Sequence, residues 1–152
     1  MLSPNNIKNV IDIKNYEQDV KIGFGQYGTI YKVVSKTNQV TYAAKILKFE
    51  NDDDDIHNER ELRIMSFAKH PTIIKYIGYS KIDFNGDNKI TIIMELAQNG
   101  SLADIIKKIK NKKKVKDFNN TTKQIILAGV ARGMKYLHDN DIVHRDLKPG
   151  NI

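Results

Sequence analysis

The sequence contains no cysteine at any of its 152 positions. A disulfide framework and a thiolate metal site are therefore both excluded. The first residues, MLSPNNIKNV, lack the apolar stretch of a secretory signal peptide. The longest apolar run, IILAGVA from Ile125, is too short to span a membrane. We therefore expect no membrane span, and a cytoplasmic or nuclear location rather than secretion.

Positive charge is concentrated in one short segment. Residues 107–116, KKIKNKKKVK, contain seven lysines and no acidic residue, so the rest of the chain has a net charge of 7 − 7 = 0. This basic segment has no aromatic side chain that could stack on a base, and we expect no nucleic-acid partner. The pattern favours a solvated, mobile segment, and a site for an anionic partner is the alternative.

The first half of the sequence predicts a sheet with one inserted helix. After an irregular segment, residues 1–15, three strand patterns follow: YEQDVKIGFG, TIYKVVSKT and QVTYAAKILKF. Four aspartates, residues 52–55, precede the helical stretch IHNERELRIMSFAK and are predicted to cap it. That helix is expected to end at His70, because the residue before a proline resists helical geometry.

The later elements are predicted to be two more strands and then helices. TIIKYIGYSKI and KITIIMEL are strand patterns joined by a turn at Asn85-Gly86. Ser101 to Asp104 fits a capping box that opens a short helix. Thr121 to Gln124 fits a second capping box, opening a helix that extends to about His138.

Three glycines, Gly23, Gly25 and Gly28, stand in the stretch IGFGQYGTIY. A strand pattern follows them rather than a helix, which predicts a β-hairpin and not a dinucleotide-binding turn. Backbone amides of such a hairpin can approach phosphate oxygens without side chains in the way. A simple turn without a ligand is the alternative.

Lys45 and Glu61 are predicted to form an ion pair. Glu61 shares one face of its helix with Ile64, Met65 and Ala68. A carboxylate on an apolar face is unfavourable unless it contacts a cation, and Lys45 lies on the adjoining strand. In the alternative, Glu61 lies at the rim and pairs with Arg60 or Arg63, while Lys45 reaches solvent.

The stretch HRDLKPGN places Asp146, Lys148 and Asn151 in one polar loop. With the glycine-rich hairpin, the strand lysine and the helix glutamate before it, the sequence resembles the eukaryotic protein kinases over about residues 16–152. The resemblance implies an α+β fold, in which an antiparallel five-stranded N-lobe sheet with one inserted helix precedes the first helices of a truncated helical C-lobe. The form D-L-K-P-x-N is similar to serine/threonine kinases.

The resemblance also implies ATP and Mg²⁺ as cofactors, a protein substrate, and a role for each matching residue. The residues implied to cover the ATP phosphates are Ile22, Gly23, Phe24, Gly25, Gln26, Tyr27, Gly28, Thr29 and Ile30. Those implied around the rest of the nucleotide are Lys45 with Glu61 at the phosphates, Ala43 and Ile30 at adenine, Met94 as gatekeeper, Glu95 to Ala97 as hinge, and Ser101 at ribose.

In the loop, the resemblance assigns the transfer chemistry to three residues. Asp146 would accept the substrate hydroxyl proton, Lys148 would neutralise charge on the transferring phosphoryl group, and Asn151 would ligate magnesium. His144 would be structural, and a role for it as a base or metal ligand is the alternative.

The sequence departs from the family pattern after the catalytic loop. It has no D-F-G, no activation segment and no A-P-E, and the helix from Thr121 has apolar residues on several sides that expect further partners. We interpret residues 16–152 as an incomplete kinase domain and expect little or no activity from these residues alone. The alternatives are a non-catalytic module that binds nucleotide or a partner, as a short natural form, and an interaction protein that uses the basic segment.

Overall fold

The computed structural model describes residues 7, 9–25, 27–48 and 52–152, except for the side chains of residues 52–55. Within these residues one antiparallel sheet has the strand order β1-β2-β3-β5-β4. Its strands are β1 (Tyr16–Gly25), β2 (Gly28–Ser35), β3 (Thr41–Leu47), β4 (Tyr76–Ser80) and β5 (Thr91–Glu95). The helices are α1 (Asp52–Phe67), between β3 and β4, and α2 (Leu102–Lys110) and α3 (Asn120–Asp139), after the sheet. The predicted α+β order, with one helix inserted after the third strand, is confirmed.

The chain divides into two compact units. The first comprises the chain up to Lys69 together with Ile74–Leu96, and therefore holds the sheet and α1. The second comprises His70–Ile73 together with Ala97–Ile152, and holds α2, α3 and the chain that follows α3.

Apolar side chains cover both faces of the sheet, because alternate residues of a strand point to opposite sides. On one face, Leu47 and Ile92 pack against Leu62 of α1. On the other face, Val33, Ala44 and Ile93 pack around Ile13, which precedes the first strand. One apolar face of the sheet is therefore covered by α1, and the other by the residue Ile13 that precedes β1.

Within the segment predicted to be irregular, residues 9–11 are hydrogen-bonded to the sheet. Val10 forms a parallel bridge with Tyr79 of β4. The Ile11 amide donates to the Tyr79 carbonyl at 2.8 Å, and the Tyr79 amide donates to the Asn9 carbonyl at 3.0 Å. A 3-10 helix, Ile13–Asn15, follows and leads directly into β1. Ile13, within this described stretch, therefore belongs to the core of the first unit.

Helix α1 ends at Phe67, three residues before the predicted end at His70. Residues His70–Ile73 pack in the second unit, where the His70 ring lies 5.2 Å from the ring of Tyr136 in α3. This tertiary contact, added to the restriction before Pro71, ends the helix earlier than its pattern does. The four aspartates lie inside the first turns of α1, and their predicted capping contacts fall outside the described side chains.

The connection between β4 and β5 has the predicted turn. Asp83 accepts hydrogen bonds from the backbone amides of Asn85 and Asp87, at 2.8 and 3.1 Å. Gly86 adopts a φ of 85°, a region that glycine enters without steric cost. Both strands are shorter than their sequence patterns, because the residues that flank them belong to turns.

One of the two predicted capping boxes is present. The Ser101 hydroxyl accepts the Asp104 amide, and the Asp104 carboxylate accepts the Ser101 amide, at the start of α2. The second prediction is wrong, because α3 begins at Asn120 and its N-cap is Asn119, which accepts the amide of Thr122 at 2.9 Å. Asparagine caps a helix at least as well as threonine, so the earlier residue takes the position. Ile125 and Leu127 of α3 are 66% and 68% exposed, as expected of a helix with apolar residues on several sides.

Candidate functional site

The three glycines lie in a β-hairpin, as predicted. Gly25 pairs with Gly28 across the turn between β1 and β2. Gly28 has a φ of 136°, and a Cβ added there would lie 2.2 Å from the carbonyl oxygen of Ile46, so that position requires glycine. A Cβ at Gly25 would meet nothing within 4 Å, which leaves the backbone there open to a ligand. Gln26, also expected in this loop, lies outside the described residues.

Two cations contact the aromatic rings of the hairpin. The Nζ atom of Lys21 lies 4.3 Å from the ring centroid of Phe24, and that of Lys45 lies 5.7 Å from the ring centroid of Tyr27. Both rings are exposed. The second of these cation–π contacts places the turn of the hairpin near the ammonium of Lys45.

Lys45 forms an ion pair with Glu61 of α1, the partner predicted for it. The two side chains are only 16% and 29% exposed, so water screens this pair less than a pair on an open surface. Of the two alternative partners, Arg63 bonds Glu59 instead, at 2.8 Å. The pair therefore joins β3 to α1 and holds an ammonium at a fixed place on one face of the sheet.

The residues expected at adenine, and the expected gatekeeper Met94, lie on β3, which carries Lys45, or on the strands beside it. Ala43 pairs with Met94 across β3 and β5, and both are at least nine-tenths buried. Ala43 and Lys45 are two positions apart and share a face of the sheet. Ile30, also expected at adenine, pairs with Lys45 across β2 and β3.

The predicted hinge begins at a well-anchored residue. The backbone amide of Glu95 donates to the carbonyl of Lys75 at 2.9 Å, and the Glu95 carboxylate accepts the Lys75 amide at 2.6 Å. The division between the two units falls immediately after Leu96. Ser101, expected at ribose, has its hydroxyl 2.8 Å from the Asp104 carboxylate, within the capping box.

In the second unit, the end of α3 fixes where the polar loop begins. The amide of Asp141 donates to the carbonyl of His138 at 3.0 Å, and that of Ile142 donates to the carbonyl of Leu137 at 2.9 Å. Asp141 is in the left-handed region, with a φ of 58°. These are the two hydrogen bonds of a Schellman motif, and the buried pair Ile142 and Leu137 supplies its apolar contact.

The loop brings the three predicted polar residues together. Lys148 Nζ lies 2.8 Å from the Asp146 carboxylate. The amide nitrogen of Asn151 donates to the carboxylate of Asp146 at 3.0 Å and to its carbonyl at 2.8 Å. The Asp146 amide donates to the carbonyl of His144 at 2.9 Å and to its ring Nδ1 at 3.3 Å, across Arg145, whose φ is 62°. Positive φ in a non-glycine residue is strain of the kind found at functional sites.

The environment of Asp146 keeps its carboxyl group ionised. The hydrogen bond from Lys148, and then that from Asn151, lower the pKa of Asp146 below its usual value, because both stabilise the charged form. The carboxylate is therefore an acceptor of hydrogen bonds at neutral pH.

Two supporting residues were missed from sequence. Asn58 lies three positions before Glu61 on α1, is 9% exposed, and donates to the carbonyl of Lys48 at 2.8 Å, which ties α1 to the end of β3. Lys75 anchors Glu95 through its backbone. A polar residue on the buried face of α1 was a usable signal for Asn58, whereas a backbone anchor leaves no trace in the side-chain pattern.

Comparisons with known proteins identify the family of the chain. The family profile described as protein kinase domain matches residues 16–152. The chain is 33% identical over 143 residues to a probable serine/threonine-protein kinase, PBL23, of Arabidopsis thaliana, covering 91% of this chain and 36% of that protein. It is 33% identical over 134 residues to serine/threonine-protein kinase 4 homolog A of Dictyostelium discoideum, covering 87% of this chain and 26% of that protein.

The chain belongs to the protein kinase family. Its sheet with one inserted helix, followed by helices, is the kinase-type fold expected from the resemblance. The chain spans about a third or less of the length of the curated relatives named above. Within the residues that the structure describes, no helix has the length and apolar character needed to cross a membrane.

Proposed function

We propose that the chain is the ATP-binding part of a serine/threonine protein kinase, which transfers a phosphoryl group from ATP to hydroxyl groups of a protein substrate. The ion pair between Lys45 and Glu61 carries the proposal. A mostly buried ammonium, held by a carboxylate from another element, is a preorganised positive charge for anionic oxygens. Phosphoryl transfer needs such positioning and charge compensation more than covalent work by the protein.

The glycine hairpin complements this charge. With no side chain at Gly25 and open space around it, backbone amides can approach phosphate oxygens. The turn also lies near Lys45 through Tyr27, so both phosphate-binding features belong to one face of one sheet. Ala43 and Ile30, next to Lys45 on that face, supply an apolar surface for adenine, and Met94, paired with Ala43, is the gatekeeper.

The polar loop supplies the transfer chemistry. The ionised carboxylate of Asp146 accepts the proton of the substrate hydroxyl. The hydroxyl oxygen bonds to the γ-phosphorus of ATP while the bond between that phosphorus and the ADP oxygen breaks. Lys148, whose ammonium lies 2.8 Å from that carboxylate, is close enough to compensate charge on the transferring group. His144 holds the backbone of Asp146, which is a positioning role rather than that of a base.

The loop also fits a magnesium ion. Magnesium prefers oxygen ligands and commonly completes its coordination with phosphates and water. The amide nitrogen of Asn151 is turned toward Asp146, so its carbonyl oxygen is directed elsewhere as a possible ligand. When bound, Mg²⁺ neutralises phosphate charge. Among the described residues, no group of three or more histidine, aspartate or glutamate side chains could hold a metal by itself.

Preference for serine and threonine is supported by two observations. Lys148 and Pro149 follow Asp146 in the serine/threonine form of the loop. The relatives named above are also described as serine/threonine kinases.

ATP affinity of a Lys45→Ala variant tests the proposal. Loss of a charge-assisted contact to phosphate should weaken ATP binding by roughly 10-fold to 100-fold, measured by calorimetry or equilibrium dialysis. Lys32→Ala is the matched control, because Lys32 is also an ion-paired strand lysine, 2.9 Å from Asp19 on the same sheet. Equal affinities of the two variants and the unchanged protein would show that Lys45 does not bind phosphate.

A further inference from the structure

Helix α2 has an apolar face that is partly open to solvent. Leu102, Ile105, Ile106 and Ile109 recur at the spacing of one helical face. The Leu102 amide donates to the carbonyl of Ile152 at 2.7 Å, so the last residues of the chain lie against the start of this helix. Toward its end, Ile106 and Ile109 are 36% and 46% exposed.

Lysines surround this exposed apolar end. All seven lysines of the basic segment, residues 107–116, are exposed. In the described part of the chain, none of the seven side chains forms an ion pair, although Lys107 and Lys108 lie close enough to Asp104 to help lower its pKa, after the hydrogen bonds from Ser101. Their charge is thus almost entirely available to an outside partner.

Backbone hydrogen bonds hold the middle of the basic segment at the end of α2. The amide of Lys113 donates to the carbonyl of Lys108, and that of Lys112 donates to the carbonyl of Ile109, both at 2.9 Å. Lys112 has a φ of 56°. These two hydrogen bonds form a Schellman motif, which ends α2 and holds the backbone of Lys112 and Lys113 at its last turn. We call the exposed residues Ile106 and Ile109, together with the seven exposed lysines of the basic segment, the α2 patch.

We propose that the α2 patch binds the surface of a membrane containing anionic lipids. Short amphipathic helices lie in the interface with apolar side chains at the acyl boundary, and clusters of four to eight basic residues beside them attract anionic headgroups. A nucleic-acid backbone would satisfy the lysines but leave Ile106 and Ile109 without a partner. The basic segment also has no aromatic residue to stack on bases. This surface would bring the proposed kinase to a membrane, and it does not depend on the kinase activity.

Co-sedimentation of the full chain with lipid vesicles tests this proposal. We expect binding to phosphatidylcholine vesicles that contain phosphatidylserine, none to pure phosphatidylcholine vesicles, and weaker binding as salt rises. Changing Lys110, Lys112, Lys113 and Lys114 to glutamine should lower the partition coefficient by roughly 100-fold or more. Ile106→Ser with Ile109→Ser should also weaken binding, although the net charge is unchanged.

Four other exposed lysines provide the matched control: Lys14, Lys36, Lys75 and Lys81, each changed to glutamine. Both sets lower the net charge from +7 to 7 − 4 = +3, so only their location differs. The control should bind the vesicles nearly as well as the unchanged chain. Equal losses in the two sets, no binding to anionic vesicles, or unchanged binding in the isoleucine variant would overturn the proposal. Tighter binding to an RNA homopolymer than to vesicles would assign the patch to nucleic acid instead.

Discussion

Asp146 is the residue whose surroundings most directly link sequence to chemistry. Its carboxylate contacts Lys148, two positions later, and Asn151, five positions later, so the loop sequence itself supplies both partners. That these three side chains lie close together could therefore be predicted from the sequence. A polar residue on the buried face of α1 could also single out Asn58, but not its partner, because the acceptor is the backbone carbonyl of Lys48.

The charge of Lys148 should control the acidity of Asp146. In a Lys148→Gln variant the pKa of Asp146 should rise toward its ordinary value, because Lys148 is the largest cause of its lowering. An Asn151→Ala variant should raise this pKa by less. Carbon NMR titration of the carboxyl group measures both shifts, with Lys123→Gln on α3 as a control that should leave the pKa unchanged.

The lowered pKa of Asp146 also makes the stability of the fold depend on pH. Because the pKa of Asp146 is lower in the folded chain, its contacts stabilise the fold at pH values above the unfolded pKa. That contribution is lost as the pH falls through the folded pKa. A Lys148→Gln variant with an unchanged Asp146 pKa would contradict this account of the loop.

Helix ends separate what the sequence could and could not predict at the scale of elements. The box at Ser101 was predictable, because both of its partners lie within one turn. The end of α1 was not, because residues His70–Ile73 pack in the other unit, a tertiary effect. The start of α3 was misplaced because Asn119 competes for the capping position.

Lys112, two residues after the end of α2, has a strained backbone conformation that a glycine would adopt without strain. Lys112 has a left-handed φ, which is unfavourable for residues with a Cβ. Lys112→Gly should raise the free energy of unfolding by about 0.5–1 kcal/mol, measured by chemical denaturation. Lys113→Gly removes the same charge at a residue without positive φ and should give no gain. Equal effects of the two substitutions would show that Lys112 is not strained.

At the scale of the whole molecule, residues 9–13, which precede the matched kinase region, complete the first unit. Residues 9–11 pair with β4, and Ile13, which is 4% exposed, lies in the core. The sequence predicted the sheet from strand patterns, but it gave no sign of this attachment. A single bridge has too few residues to show a strand pattern.

A substitution at Gly78 of β4 tests whether residues 9–11 are packed against this strand. A Cβ there would lie 2.5 Å from a methyl carbon of Ile11 and 2.6 Å from the carbonyl oxygen of Asn9. Gly78→Ala should therefore lower the free energy of unfolding by about 1–3 kcal/mol. Gly25→Ala is the control, because an added Cβ at Gly25 meets nothing within 4 Å. An unfolding free energy equal to that of the control would mean that the segment is not packed there.

The central claim is phosphoryl transfer, and an Asp146→Asn variant of the longest natural form of the protein tests it most directly. We expect transfer from ATP to serine or threonine of a protein substrate to fall by roughly 100-fold or more, since asparagine cannot accept the proton. Asp139→Asn is the matched control, because Asp139 is also ion-paired with a lysine, at 2.6 Å. Unchanged phosphorylation by Asp146→Asn would contradict the account, and ATP binding without any transfer by the natural protein would leave a non-catalytic binding module.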